Sequence, residues 1–202
     1  MRACHGHRVR AFSRLPVCPA LLEALTRRRM PRRVTCDPID ERTGRRGAGA
    51  DGYVRVCVIV GGRTGTMWEH FHHLADIGVR GVGSTLEEAF AEGAYALMAV
   101  IASPQCVRPK VPVDIACEAE SPDLLFADWL NELIYEMETR GMLFSRFEVA
   151  IRGEHLEGRA WGEPVAPERH EPAVAVKAAT YMELKVERRS DGQWMAQCVV
   201  DV

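Results

Sequence analysis

The densest polar cluster in the chain is His70-Phe71-His72-His73-Leu74-Ala75-Asp76. Three imidazoles and a carboxylate are side chains that hold metals or move protons. Their spacing argues against zinc. On a strand His70 and His72 share a face while His73 points the other way, and no second ligand pair at zinc spacing is present. His70 and His72 therefore read as ordinary exposed strand residues. Asp76 differs, because Ile77-Gly78 follows it and the backbone can turn sharply there. A carboxylate on a bend is either a turn cap or a ligand, and taken alone the position favours the cap.

The last residues form a second candidate. Cys198-Val199-Val200 reads as a strand, and Asp201-Val202 closes the sequence. In a docked strand the Asp201 side chain and the Val202 α-carboxylate are held one residue apart. With Asp76 as a third member, such carboxylates repel one another unless a hard cation sits among them. Calcium and magnesium accept oxygen ligands of this kind. Nothing in the composition brings Asp76 to Asp201. A third polar group comprises Glu163, Arg169, His170, Glu171, Lys177, Thr180 and Tyr181. Lys177 and Tyr181, four apart, share a face if the segment is a strand, and the bare pattern is that of a solvated sheet surface. No Ser-His-Asp order, nucleophile elbow or acid pair on a rigid helix face is present.

These residues need elements to carry them. Trp68–His73 and Ile77–Val82 read as short strands around an Ala75-Asp76 break. Ser84, with Glu87 as capping-box partner, opens a helix. Its apolar face is Leu86, Ala89, Phe90, Gly93, Ala94, Leu97, Met98 and Ile101, and Pro104 ends it. Lys110–Cys117 alternates as a strand. Ser121-Pro122-Asp123 starts a second helix with a cap, a proline in the first turn and an acid there. Phe126, Leu130, Leu133, Ile134 and Met137 form its buried stripe, and Gly141 stops it. Four strands follow: Met142–Arg152, His155–Trp161, Val174–Val186 and Gln193–Val200. Helices are too few for a doubly wound sheet. The pattern predicts an α+β fold in which two amphipathic helices pack with antiparallel sheets.

The formal net charge of −2 hides a division. Residues 1–66 hold 14 Arg, no Lys and 5 acids, whereas residues 67–202 hold 12 basic and 23 acidic residues, a balance of −11. The acidic part is a poor direct ligand for nucleic acid, whose capture rests on Lys and Arg, but it suits cations or a basic protein surface. No stretch reaches the roughly 20 apolar residues of a membrane span. The seven Cys form no C-x-x-C pair and read as reduced cysteines of a cytoplasmic protein, with three at apolar-looking positions after residue 66. Residues 1–66 read as a separate Arg-rich extension, disordered or a mis-assigned start with Met67 as the natural initiator. A transit peptide or a nucleic-acid arm is the alternative. Within it only Tyr53–Val60 looks like a strand. Gly61–Thr66 lacks the Lys and the spacing of a phosphate-cradling loop.

The runs HHLADIGVRG (His72–Gly81), STLEEAFAEGAYALMAVI (Ser84–Ile101) and DLLFADWLNELIYEME (Asp123–Glu138) resemble archease proteins. So do LFSRF (Leu143–Phe147), GEPVAPERHE (Gly162–Glu171), VKAATY (Val176–Tyr181) and the closing VVDV (Val199–Val202). The resemblance covers residues 67–202 in order and leaves residues 1–66 without a counterpart.

The resemblance implies a β/α/β layered fold and a non-catalytic protein that assists an RtcB-type RNA ligase in tRNA splicing and RNA repair. It implies promotion of ligase guanylylation and of repeated turnover. By position it implies a calcium (or other divalent) site at Asp76, Asp201 and Val202, which reverses the cap reading of Asp76. His73, Arg169, His170, Lys177 and Tyr181 become candidates for partner contact. Three departures stand out: His72-His73-Leu74 replaces the usual Glu-His-Thr, Ala166 replaces an Asp, and Met182 replaces a His. A general chaperone or interaction module is the alternative function. A phosphohydrolase using His72, His73 and Asp76 is a third, although such enzymes are helical and carry further His-Asp pairs.

Overall fold

The computed structural model describes residues 67–73 and 76–202. The expectations for residues 1–66, including the strand at Tyr53–Val60 and the Gly61–Thr66 loop, lie outside the described residues, as do Leu74 and Ala75.

The element order is β1 (Met67–His73), β2 (Asp76–Gly83), α1 (Leu86–Ile101), a 3₁₀ turn at Pro104–Cys106, β3 (Val111–Glu118), α2 (Pro122–Arg140), β4 (Met142–Arg152), β5 (His155–Pro164), a one-turn α3 (Pro167–His170), β6 (Ala178–Ala179), β7 (Lys185–Arg188) and β8 (Trp194–Asp201). All pairing is antiparallel. One sheet has the order β1-β2-β8-β6, with β7 also paired to β8, and the other has the order β3-β5-β4. The α1 helix packs on β1, β2 and β8 of the first sheet and on β4 of the second. The α2 helix likewise touches both sheets. The helices thus form a middle layer between two sheets, the α+β arrangement that the pattern predicts.

The apolar stripes explain this layering. Phe90, Leu97 and Met98 of α1 and Phe126, Trp129, Leu130 and Leu133 of α2 are fully buried and belong to one core. Trp129 lies over Gly158 of β5, where an added Cβ would sit 2.4 Å from the indole ring, and its Nε1 donates to the Phe90 carbonyl at 3.2 Å. A missing side chain on the sheet therefore makes room for the largest one on the helix. Gly81 does the same on the other sheet. A Cβ there would lie 2.1 Å from the Ala89 carbonyl oxygen and 2.2 Å from the Gly93 nitrogen, so β2 and α1 meet backbone to backbone.

Four sequence expectations change. The α1 cap is Thr85, whose Oγ1 accepts from Glu88 N at 3.2 Å, while the Glu88 carboxylate accepts from Ser84 N at 2.8 Å. The capping box is therefore displaced by one residue from the Ser84–Glu87 pair. Asp76 is the first residue of β2 rather than part of a break. His70 is half-buried instead of exposed: its Nε2 donates to the Ala96 carbonyl at 2.8 Å, and burial holds its pKa below the usual value. The single strand expected over Val174–Val186 is two short strands, β6 and β7, separated by a bulge in which Glu183 has φ of 52°. In consequence Lys177 and Tyr181 do not share a strand face.

Two substitutions test these local arguments. Gly81→Ala is expected to cost about 2 kcal/mol or more, because backbone and not a flexible side chain fills the space. Thr85→Ala is expected to cost about 1 kcal/mol and Ser84→Ala little, since only the first removes a cap oxygen. Urea denaturation measures both.

Candidate functional site

The register of β2 against β8 brings the two ends of the domain together. Ile77 pairs with Val200, so Asp76 and Asp201 occupy the next position of the same ladder. His73 is paired with Asp76 across β1 and β2, and Ala178 with Asp201 across β6 and β8. His73, Asp76, Asp201 and Ala178 therefore form one row across four strands at the end of the sheet. Directly opposed residues place their side chains on the same face, with Cβ atoms about 5 Å apart. Both aspartates are half-buried, and the Asp201 side chain remains 49% exposed.

Lys177 closes this row. Its ammonium lies 3.6 Å from Asp201 Oδ1 and donates to the main-chain oxygen of Val202 at 3.1 Å, while its backbone N donates to the Asp201 carbonyl at 2.8 Å. A cation already stands beside the carboxylates. It is 62% exposed and held by one long ion pair and one hydrogen bond, and exposed pairs of this kind are weak. His73 Nδ1 is a buried nitrogen with no hydrogen-bond partner among the described residues. Among the same residues, no three His, Cys, Asp or Glu side chains form a group that could hold a metal ion. The expected set has only two such side chains and takes its third donor from the chain end.

Asn131 was not singled out as a functional residue, yet it positions this row. From the middle of α2 its amide donates to the Ala179 carbonyl at 3.1 Å and its Oδ1 accepts from Ala179 N at 2.9 Å. One side chain thus pairs with β6 as a neighbouring strand does. Asp123, at the start of α2, accepts from Val186 N of β7 at 2.7 Å. The signal lay within the DWLNEL run, where Asn131 interrupts the apolar stripe of a helix.

Arg169 and His170 are gathered elsewhere, around Glu163. This carboxylate is buried (3% exposed) and accepts from Arg169, from Arg108 N at 2.8 Å and from Lys110 at 3.3 Å. His170 Nδ1 accepts from Ala166 N at 3.0 Å, which leaves the ring proton on Nε2, 3.3 Å from Glu163. The Arg169 guanidinium, ahead of the other donors and against the opposing effect of burial, holds the Glu163 carboxyl well below the usual range. Strand alternation puts Glu163 on the solvated face with Arg159 and Glu157. The Arg108–Lys110 segment and α3 cover it instead. Its carboxylate oxygens accept from four groups within the fold, so the cluster fastens the segment that runs on towards Lys177.

Burial disfavours the thiolate at two of the cysteines. Burial, with Glu132 and Asp128 adding to it at Cys117, pushes both Cys117 and Cys198 up to about 12. Cys106, expected at an apolar position, is exposed.

The model of the Archease protein family matches residues 68–202. The chain belongs to the archease family. An archease of Pyrococcus furiosus is 47% identical over 139 residues, covering 67% of this chain and 98% of its own length. One from Methanopyrus kandleri is 43% identical over 141 residues, covering 67% and 99%. The solution structure of Methanobacterium thermoautotrophicum protein 1598 has a TM-score of 0.60 at 32% identity, covering 67% of this chain and 98% of that one. The archease fold therefore accounts for the described domain. No helix among the described residues is long and apolar enough to cross a membrane.

The Glu163 cluster makes a pH prediction. Its folded pKa is depressed, so its contribution is fully present above the unfolded value, about 4.3, and is lost progressively as pH falls from there through the folded value. Glu163→Gln is expected to cost about 2 kcal/mol at pH 7, because His170 is buried while Arg169 and Lys110 can return to water. The difference between native protein and variant should shrink between pH 5 and pH 3, on the order of the unfolded range. Denaturant titrations across that range read it directly.

Proposed function

We propose that this protein is a non-catalytic activator of an RtcB-type RNA ligase in tRNA splicing and RNA repair, acting in the cytoplasm through an acidic divalent-cation site. The ladder position shared by Asp76 and Asp201, at the end of the sheet where the chain closes, carries the reading. Hard oxygen donors from two side chains and the Val202 carboxylate suit calcium, which accepts such ligands in flexible geometry.

In this reading Asp76 and Asp201 hold their oxygens fixed by the sheet, and Lys177 balances their charge when the site is empty. A bound cation supplies a concentrated positive charge that the ligase's nucleotide site can use. The acidic surface of the domain, with its balance of −11, steers it to an enzyme that presents basic groups to RNA and GTP. The ligase carries out the chemistry, and this protein raises the fraction of ligase competent for guanylylation and for repeated turnover. Direct binding of nucleic acid is not part of the scheme, because Lys and Arg are the minority charges.

Incubation with a cognate ligase and GTP tests the proposal. The guanylylated ligase should accumulate faster with the native protein, and Asp76→Asn or Asp201→Asn should remove at least about tenfold of that gain. Such a loss corresponds to roughly 1.4 kcal/mol. Calorimetric calcium titration should show weakened binding in both variants, and also in a chain extended by one glycine beyond Val202. No gain with native protein, or a gain indifferent to Asp76→Asn, overturns the reading. Protection of many unrelated clients from aggregation, equal in the variants, would favour a general chaperone.

A further inference from the structure

The two most exposed large apolar side chains among the described residues are consecutive. Tyr181 is 68% exposed and Met182 46%. They lie in the bulge between β6 and β7, beside β8. Exposed apolar residues scattered singly need no explanation, but an adjacent pair on a protrusion does.

The bulge is not a loose loop. Thr180 N and Oγ1 both donate to the Val199 carbonyl, each at 2.9 Å. Met182 N donates to Thr180 Oγ1 at 3.2 Å, and the Met182 carbonyl accepts from Val199 N at 3.0 Å. Gln197 Nε2 holds the Glu183 carbonyl at 3.1 Å, and Gln197 is itself fixed by Arg80 Nε at 2.8 Å. On either side, α2 clamps the flanking strands through Asn131 and Asp123. Glu183 adopts φ of 52°, a conformation that costs free energy for a residue with a side chain. So the backbone is fastened on all sides while its two large side chains remain in water. A hydrogen-bonded bulge of this kind presents apolar groups with little ordering left to lose on binding.

Position supplies the second observation. The bulge flanks Val199, two residues from Asp201 and so about 7 Å along the strand from the carboxylate row. Glu183, Asp201 and Asp76 lie around it, with Lys177 against Asp201 and Lys185 two residues after Glu183, in a domain whose overall balance is −11. A rigid aromatic and a flexible thioether carried on an acidic domain are complementary to an apolar pocket with a basic rim. Tyr is enriched at the centres of interfaces, and Met adapts to irregular pockets.

We propose that the Tyr181–Met182 bulge is the apolar anchor of the interface with the ligase, seated in a basic-rimmed pocket while the carboxylate row lies alongside. This rests on the ligase partnership proposed above. The bulge is held through backbone, Thr180 and Gln197 hydrogen bonds rather than through the Tyr181 and Met182 side chains, so Tyr181→Ser/Met182→Ser is expected to leave the fold and the Asp76 and Asp201 carboxylates in place. The experiment measures ligase affinity by calorimetry for the native chain, for this double variant and for Tyr135→Ser, which removes an exposed aromatic from α2. Calcium affinity and thermal midpoint are recorded for each.

The expected result is a loss of ligase affinity of about tenfold or more in the double variant alone, with calcium binding within twofold of native. Ligase binding by the double variant within twofold of native, beside clear binding by the native chain, overturns the anchor and leaves the ligase partnership standing. An equal loss in Tyr135→Ser also overturns it, since exposure and not position would then decide. If the native chain itself binds no ligase, the partnership fails and the anchor fails with it.

Discussion

The antiparallel register of β2 against β8 is the constraint on which this structure depends. It joins the first part of the domain to the last, and it fixes which residues of each share a row. A shift of one residue would turn every β8 side chain to the opposite face and would part Asp76 from Asp201. The register is pinned because Val79, Cys198 and Val200 must face the helices and are fully buried. Gly81 allows no compromise in this, since the close approach of β2 to α1 leaves no volume for another side chain. The polar row at the sheet end is thus set by apolar packing further along the same strands.

A second level of organisation comes from α2. Its buried stripe ties it to both sheets, and its polar residues then serve as connectors. Asn131 pairs with β6, a two-residue strand too short to hold itself in place, and Asp123 receives β7. Between these clamps the chain leaves β8 and returns, which creates the only segment of the described sheet edge where large apolar groups face solvent side by side. Hydrogen bonds of this sort add about 1 kcal/mol each. Their larger effect is to decide which backbone is available to water and which is not.

The Glu163 cluster plays the corresponding role for the segment before β6. A buried carboxylate with two cationic neighbours, the His170 ring and a main-chain donor fastens α3 against the second sheet. The Ala173 amide then donates to the Ile101 carbonyl at the end of α1. Lys177 arrives beside Asp201 because these contacts leave the intervening chain few alternatives. An ion-pair cluster distant from the carboxylate row thus governs where its nearest cation sits.

Much of this was legible in the sequence. The helical stripes, the Ser121 cap with Pro122, the stop at Gly141 and the strands through Arg152 and His155 follow from periodicity and local backbone chemistry, which act within a few residues. Asp76 and Asp201 could be named as carboxylates of interest, but not as neighbours: 125 positions separate them, and only strand register relates them. Thr85 took the cap from Ser84 through contacts with Glu88 local to the helix start. Local rules also failed where tertiary contacts competed with them: His70 turned inward to the Ala96 carbonyl, and Glu163 was covered despite its place in an alternating strand. The long strand expected over Val174–Val186 broke because α2 holds its two halves by separate side chains. The sequence by itself determined most of the elements, the acidic balance and which carboxylates stand out. The tertiary structure alone decided which carboxylates share a row and which apolar groups stay in water, because both depend on pairing between segments that no short-range pattern encodes.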